Sequence, residues 1–151
     1  MKDMKTVASY IATRYQAEKG QRIDEMKLHK LMYLAQRESL ARTDEPLYEA
    51  DFEGWRLGPV LPDLRTYYKE ESLTEVKDLG EDQAVVDAVY DEYVDWDSLK
   101  LSRMTHGEIC WRKSRKGIPP SASSSNPIEL DDIRLDAVRS QTLSAMAKNE
   151  L

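Results

Sequence analysis

The fold is decided by the stretch Leu47-Tyr-Glu-Ala-Asp-Phe-Glu-Gly-Trp-Arg-Leu-Gly-Pro-Val-Leu-Pro-Asp-Leu-Arg-Thr-Tyr-Tyr-Lys69, which we name the hub. Gly58 accepts backbone angles that are closed to other residues, and Pro59 keeps the residue before it out of the α region. The chain is therefore predicted to turn at Gly58 and Pro59. Pro62 fits the first turn of a helix, where its missing N–H is not needed, so a helix is predicted to follow the turn.

The aromatic residues of the hub permit two interpretations. Phe52, Trp55, Tyr67 and Tyr68 have the size and shape of core residues, which favours a packing junction between two helices. The same side chains also suit a recognition surface, because binding energy concentrates in a few aromatic and arginine residues. Both interpretations remain open from the residues alone. The hub is expected to pack against the later segment around Trp111, with Trp55 and Trp111 substantially buried.

The composition predicts one soluble domain that spans residues 1–151. Charged residues make up 33% and apolar residues 40% of the chain, and no apolar run approaches the ~18 residues of a membrane span. The first six residues lack the apolar core of a secretion signal, and the single Cys110 has no partner for a disulfide or a structural zinc site. We expect a cytoplasmic protein that does not span a membrane and binds neither a metal nor a cofactor.

The charges are unevenly distributed. Residues 70–97 contain eleven acids against one lysine, whereas residues 101–117 contain five bases against one acid. The net charge of −6 argues against general affinity for nucleic acid, which needs clustered cations. The acidic stretch is equally consistent with a surface that attracts a basic partner and with a solvated helix.

Helical periodicity predicts a mainly α fold of about six helices with a small β element near residues 50–56. A first helix should run from about residue 3 to Glu18. A second should begin after the N-cap Asp24 and reach about Ala41, with Leu28 and its apolar partners on one face and Lys27, Lys30 and Arg37 elsewhere. His29 is expected to be a partly exposed helix residue and not a metal ligand.

Five further segments follow the hub. Residues 83–94 carry an apolar stripe that favours a helix, and Ser98 is a candidate cap for a short helix through Met104. Thr105 and Glu108 have the spacing of a capping box, which predicts a helix start at Thr105. Residues 119–126 form a Ser- and Pro-rich loop with too little apolar content to pack. The last helix has the apolar set Ile128, Leu130, Ile133, Leu135, Val138, Leu143 and Met146.

Catalytic chemistry has little support. His29 and His106 are the only near-neutral bases, and neither lies in a nucleophile motif. His106 follows Thr105 at a predicted helix start, where a neutral ring is favoured, so it serves either as a polar strut between Trp111 and the hub or as a contact to a partner.

Three blocks in order carry a resemblance to a known family. They are residues 27–36 (Lys-Leu-His-Lys-Leu-Met-Tyr-Leu-Ala-Gln), the hub with Phe52-Glu-Gly-Trp and Gly58-Pro-Val-Leu-Pro, and the late motif, which we define as residues 101–115. Over roughly residues 5–140 the chain resembles the Panacea domain family of SocA-like antitoxins, found in prophages and toxin–antitoxin operons. Gly54 occupies a position where that family usually has alanine. The smaller residue predicts looser packing here.

The resemblance implies a non-enzymatic helical antitoxin that neutralises a cognate protein toxin by direct binding, and for SocA-like members delivery of the toxin to a cellular protease. The alternatives are a phage-associated DNA-binding regulator, which would use the bases of residues 103–116, and an uncharacterised hydrolase. Residues predicted to contact the partner are Trp55, Arg56, Leu57, Tyr67, Tyr68, His106 and Arg112. Residues predicted to serve structure are Gly58, Pro59, Val60, Pro62, Thr105, Glu108 and Trp111. The acidic residues 70–97 are the competing surface.

Overall fold

The computed structural model describes residues 1–149 as seven α-helices, one short 3-10 helix and one β-hairpin. The helices are α1 (Met4–Lys19), α2 (Glu25–Thr43), α3 (Pro62–Lys69), α4 (Gln83–Tyr93), α5 (Ser98–Thr105), α6 (Ile109–Ser114) and α7 (Leu130–Asn149), with the 3-10 turn at Gly80–Asp82. The strands are β1 (Glu53–Trp55) and β2 (Gly58–Val60). The mainly helical fold with a small β element is confirmed. None of these helices has the length and apolar content needed to cross a bilayer.

Helix α2 is the centre of the fold. Asp24 caps it as predicted by accepting a hydrogen bond from the Lys27 amide (2.9 Å), and α1, α4, α5, α7 and the hairpin pack around it. Every residue from 27 to 37 is buried. The prediction that Lys27, Lys30 and Arg37 lie away from the core is wrong, because packed elements surround α2 and leave it no solvent face. Lys27 instead donates to the Val94 carbonyl oxygen (2.8 Å).

The hairpin turns just before the predicted position, because Gly58 and Pro59 belong to β2. Trp55 pairs with Gly58, so Arg56 and Leu57 form a two-residue turn. Gly58 has a φ of 123°, and a Cβ at this position would lie 2.5 Å from Thr105 Oγ1 and 2.8 Å from Lys30 Cε. Glycine is therefore required here for its backbone angle and for the close approach of α2 and α5.

The capping box predicted at Thr105 and Glu108 is wrong. Thr105 ends α5, and its hydroxyl donates to the Ser102 carbonyl oxygen (2.7 Å). Glu108 precedes α6, and its carboxylate accepts from Arg37. The first amides of α6 are capped by a residue distant in sequence, Asp136 of α7, which accepts from Ile109 N (2.7 Å) and Cys110 N (2.9 Å).

The cap of α5 also differs from the prediction. Asp97, and not Ser98, accepts the hydrogen bond from the Leu99 amide (2.7 Å). The Ser98 hydroxyl donates to the Asp24 carboxylate instead (2.7 Å), which ties the start of α5 to the start of α2.

The Ser- and Pro-rich loop is hydrogen-bonded to the late motif and to the hub, while most of its residues are exposed, in line with its low apolar content. Arg115, which is buried, donates to the carbonyl oxygens of Pro119 (3.1 Å) and Ala122 (2.6 Å). Asn126 contributes its carbonyl oxygen to the Gly54 amide (2.8 Å). Hydrogen bonds to backbone groups, and not apolar side chains, hold this loop in place, and the apolar pattern of the sequence does not reveal such bonds.

The C-terminal helix buries less apolar surface than its pattern predicted. Ile128 and Ile133 are buried, and Leu130 packs against the core. The other four members of the predicted set are exposed, namely Leu135, Val138, Leu143 and Met146. The helix is held to the body mainly by Ile133, Ala137 and the buried carboxylates of Asp132 and Asp136.

Candidate functional site

The hairpin tip, which we define as Trp55, Arg56 and Leu57, is fixed to the late motif. The indole Nε1 of Trp111 donates to the Trp55 carbonyl oxygen (2.7 Å), and the Ser102 hydroxyl donates to the Leu57 carbonyl oxygen. The predicted packing of the hub on the late motif is confirmed. Trp111 is buried as expected, whereas Trp55 is only partly buried, and Arg56 and Leu57 are exposed.

His106 contacts this junction through Trp111. Its ring stacks on Trp111 with centroids 4.2 Å apart and planes 16° from parallel. Its Nε2 is buried and has no hydrogen-bond partner among the described residues. Burial lowers the pKa of His106, so the ring is neutral at physiological pH. Arg112 is exposed, and its Nε donates to the His106 carbonyl oxygen (2.9 Å).

A cavity of about 390 Å³ opens beside the hairpin tip. Its walls come from the tip, from α2, from α3 and from the Ser-rich loop, and its lining includes His29 and Lys30. We name it the hairpin cavity. The hairpin cavity lies where the hub contacts the part of α2 that contains the sequence block at residues 27–36.

Lys30 brings a buried positive charge to the hairpin cavity. The residue is 1% exposed, and its ammonium donates to the Pro59 carbonyl oxygen (3.2 Å). No salt bridge to Lys30 is found within residues 1–149, and burial lowers its pKa to about 8. Because an ammonium carries three donors, this group has unused capacity for an acceptor or an anion. Helical periodicity missed Lys30, which the sequence analysis noted only as part of the block at residues 27–36.

Arg65 is a second cationic residue of the site that the sequence interpretation missed. It lies on α3, with its guanidinium 5.0 Å from the Trp55 ring centre and 3.4 Å from the Glu25 carboxylate. Glu25 also pairs with His29 (3.0 Å). The acid nearest to Lys30 in this cavity is thus already engaged by two other groups, and the cavity retains an excess of positive charge.

His29 is a structural residue. It is buried, so the expectation of partial exposure is wrong. Its Nδ1 accepts from the Leu61 amide (3.2 Å), and its Nε2 lies 3.0 Å from Glu25. Burial lowers its pKa. Both ring nitrogens are occupied, which leaves none for base catalysis or metal binding, and residues 1–149 contain no cluster of potential metal ligands.

Tyr67 and Tyr68 do not join the hairpin tip. The Tyr68 hydroxyl donates to the Ile23 carbonyl oxygen (2.7 Å), and the Arg22 guanidinium lies 3.6 Å from its ring centre. Lys5 lies 4.8 Å from the Tyr67 ring centre. Both rings attach α3 to the N-terminal part of the molecule, and neither lines the hairpin cavity.

Gly54 tightens the junction, in contrast to the looser packing that its departure from the family pattern predicted. A Cβ at this position would lie 1.9 Å from Ser114 Oγ and 3.0 Å from Ser114 Cβ. The absence of a side chain therefore lets β1 approach α6 closely.

Comparison with known proteins agrees with the resemblance. The family model described as antitoxin SocA-like, Panacea domain, matches residues 28–112. No curated protein and no solved structure shows significant similarity to the chain. The matched segment runs from α2 to α6 and contains Lys30, the hairpin tip and Trp111. Since it covers more than half of the chain, the protein belongs to the SocA-like antitoxin family defined by the Panacea domain.

Proposed function

We propose that this protein is an antitoxin that neutralises a cognate protein toxin by direct binding at the hairpin tip and the hairpin cavity. The observation that carries the proposal is the buried ammonium of Lys30, which has no salt bridge within residues 1–149 and lines a cavity edged by the exposed Arg56 and Leu57. The protein acts in the cytoplasm by binding and not by catalysis, and without a cofactor.

The rigidity of the hairpin tip supports this choice of surface. Two hydrogen bonds to its carbonyl oxygens, from Trp111 and Ser102, hold the turn against the late motif. Arg56 and Leu57 are therefore presented by a turn whose backbone is already ordered. Association loses less entropy when the contact residues are ordered beforehand.

The charges of the cavity indicate the chemistry of the partner. Lys30, Arg56 and Arg65 contribute three cations to the lining, and Glu25 contributes one carboxylate that pairs with His29 and Arg65. An acidic side chain of the toxin would supply the missing counter-charge to Lys30, and an apolar neighbour would cover Leu57.

The acidic residues 70–97 are less suited to this role. Asp87 and Asp91 bind Arg14 (2.9 and 2.7 Å), and Asp95 binds Lys19 (2.8 Å). Part of the acidic surface is thus neutralised by α1. The remaining exposed acids would mainly affect the rate of association.

The two alternative functions lose support for separate reasons. A DNA-binding regulator would use the basic residues 103–116, but Arg115 is buried against loop carbonyls and Lys113 pairs with Asp132 (2.7 Å). A hydrolase needs a base that can reach the substrate, but both nitrogens of His29 are engaged and the Nε2 of His106 is buried. Strongly salt-dependent binding to duplex DNA would favour the regulator instead.

Co-expression with the toxin encoded beside this chain tests the proposal. Arg56→Ala and Lys30→Met should abolish rescue of growth, while Arg103→Ala, an exposed arginine outside the cavity, should retain it. Circular dichroism should show that each variant is folded. Charge reversal at Glu70, Glu71 and Glu92 should leave rescue intact. Loss of rescue by the charge-reversed variant alone would contradict the proposed site.

Delivery of the toxin to a protease is an extension of the same proposal. The half-life of the toxin, measured with and without this chain, separates the two modes. A stable, inactive toxin indicates blockade alone, and a shortened half-life indicates delivery.

A further inference from the structure

The hairpin cavity has the size of a site for a small molecule. Its volume of about 390 Å³ falls within the range of ligand pockets in proteins. Met26, Leu57 and Val60 contribute apolar walls, and charged side chains and serine hydroxyl groups also line the cavity. Such a mixture suits an organic ligand that carries one polar group, because the apolar body and the polar group would each find a matching wall.

The charged groups of the cavity leave an excess of two positive charges. Its lining contains three cations, Lys30, Arg56 and Arg65, against the one carboxylate of Glu25, which is a net charge of +2. His29 adds no charge, because burial lowers its pKa. Glu25 is engaged by His29 and Arg65, whereas Lys30 and Arg56 form no salt bridge within residues 1–149. A dianion would balance this cavity, and a monoanion would leave one positive charge uncompensated.

The hydrogen-bond donors of the cavity favour a phosphate over a carboxylate. Lys30 is 1% exposed and uses one of its three N–H groups on the Pro59 carbonyl oxygen (3.2 Å), so two remain. Arg56 brings a guanidinium with five donors, and Ser123 and Ser124 bring hydroxyl groups. A phosphate monoester presents three strong acceptor oxygens and nearly two negative charges at pH 7. A carboxylate has two oxygens and one charge.

Hydrogen bonds hold two walls of the cavity in place without a ligand. The Ser-rich loop is held by Arg115, which donates to the Ala122 carbonyl oxygen (2.6 Å). The hairpin tip is held by Trp111, which donates to the Trp55 carbonyl oxygen (2.7 Å). Binding to walls that are already ordered loses less conformational entropy.

We propose that the hairpin cavity binds a small phosphate monoester, with the phosphate against Lys30 and Arg56 and the organic part against Met26 and Val60. The proposal concerns the protein without its toxin. Competition between the ester and the toxin for Lys30 is a consequence that rests on the proposed function. The titrations below contain no toxin, so their failure would leave the outcome of the growth-rescue experiment unchanged.

Titration of the full chain with phenyl phosphate tests the site. The indole N–H of Trp55, which lines the cavity and donates to Glu53 (2.8 Å), provides an NMR signal at the site, and that of Trp96, outside the cavity, provides an internal control. The Trp55 signal should shift to saturation with a dissociation constant on the order of 0.1 mM, while the Trp96 signal stays unchanged. The absence of a saturable shift up to about 10 mM would overturn the proposal.

Benzoate is the matched control ligand, because it has the same ring with one negative charge. It should bind at least tenfold more weakly than phenyl phosphate, since it would leave one cation of the cavity uncompensated. Equal affinities would overturn the assignment and would indicate a carboxylate site instead.

Two arginine variants test the position of the phosphate. Arg56→Gln should weaken binding of phenyl phosphate at least tenfold, and Arg103→Gln, at an exposed arginine outside the cavity, should leave it unchanged. Arg56 is itself exposed, so its replacement should not disturb the fold. Wild-type affinity in Arg56→Gln would overturn the proposal.

The pH dependence of binding tests the contact with Lys30. Burial lowers the pKa of Lys30 to about 8, whereas phenyl phosphate remains a dianion above pH 7. The charged and titratable groups around Lys30 are Glu25, His29, His106, Arg56 and Arg65, and burial lowers the pKa of both histidines, so neither changes its charge at alkaline pH. Raising the pH from 7.5 to 9 should therefore weaken binding roughly eightfold, through loss of the ammonium alone.

Lys30→Met separates this effect from any other titration. The variant should bind phenyl phosphate at least tenfold more weakly than the wild type at pH 7.5, and its remaining affinity should not change between pH 7.5 and pH 9. A wild-type affinity that is the same at both pH values would show that the phosphate does not contact Lys30 and would overturn the proposal.

Discussion

The indole Nε1 of Trp111 lies 2.7 Å from the carbonyl oxygen of Trp55 and donates a hydrogen bond to it. This bond joins two aromatic residues that belong to separate sequence blocks, one in the hub and one in the late motif. The orientation of the hairpin tip therefore depends on α6, and the tip should lose order when this bond is removed.

Two replacements of Trp111 distinguish the stability contributed by its ring packing from the stability contributed by its hydrogen bond. Trp111→Phe keeps most of the ring but leaves the Trp55 carbonyl unpaired, so it should reduce the free energy of unfolding by about 1–3 kcal/mol. Trp111→Ala also removes buried apolar surface and should cost about 3–5 kcal/mol. Urea titrations followed by circular dichroism measure both. A loss below ~1 kcal/mol for Trp111→Ala would show that the ring does not carry the junction.

A methyl group at position 54 should destabilise the protein despite its small size. Gly54→Ala places a Cβ 1.9 Å from Ser114 Oγ, and the resulting shift should cost about 1–3 kcal/mol. Ser114→Gly clears the space, so the double variant should lose less than the sum of the single changes. A double-mutant cycle of unfolding free energies measures this coupling. Strict additivity would mean that the two residues do not meet.

The buried ammonium of Lys30 should make stability depend on alkaline pH. Burial lowers its pKa in the folded protein to about 8, against about 10.4 in an unfolded chain. Between these values the unfolded state binds more protons, so stability should rise with pH across that window. The penalty is fully present below pH 8 and disappears above the unfolded pKa.

Lys30→Met isolates this effect from other titrations. The wild type should gain roughly 3 kcal/mol relative to the variant between pH 8 and pH 10.5. Unfolding free energies of both proteins at the two pH values measure the gain. A constant difference would show that Lys30 titrates normally and would remove the unbalanced charge on which the proposed site depends.

Replacing one member of the Arg37–Glu108 pair should lower the free energy of unfolding more than replacing both. Both side chains are buried and hydrogen-bonded to each other. Glu108→Leu should cost about 3–5 kcal/mol because it leaves the Arg37 charge unpaired, whereas Arg37→Met with Glu108→Leu should cost less. Thermal and urea unfolding of the two single variants and the double variant provide the comparison. If the double variant were the least stable, the pair would be a net stabilising contact.

Local signals predicted much of the fold. The cap at Asp24, the start of α3 at Pro62, the helix over residues 83–93 and the end of α1 at Gly20 all follow from propensity and short-range spacing. These features depend on neighbours within a few residues. A single sequence is sufficient for them.

The errors lie where distant segments meet. The amphipathic rule assumes that one side of a helix faces water, and it failed for Lys30 because α2 is covered on all sides. Thr105 and Glu108 have the spacing of a capping box, but the amides of α6 are bound by Asp136. Tyr68 was grouped with the hairpin tip because the two are close in the chain, yet its hydroxyl binds the Ile23 carbonyl oxygen. Nothing local in the sequence encodes these contacts.

The cap that Asp136 gives to α6 has a consequence for dissecting the protein. The recognisable family segment ends at residue 112, inside α6, while the carboxylate that holds the start of that helix lies on α7. A fragment cut at the family boundaries would expose the Ile109 and Cys110 amides and uncover one side of α2. The segment that the family model matches is thus smaller than the unit that folds, and expression of the hub for binding studies requires α7 in the same chain.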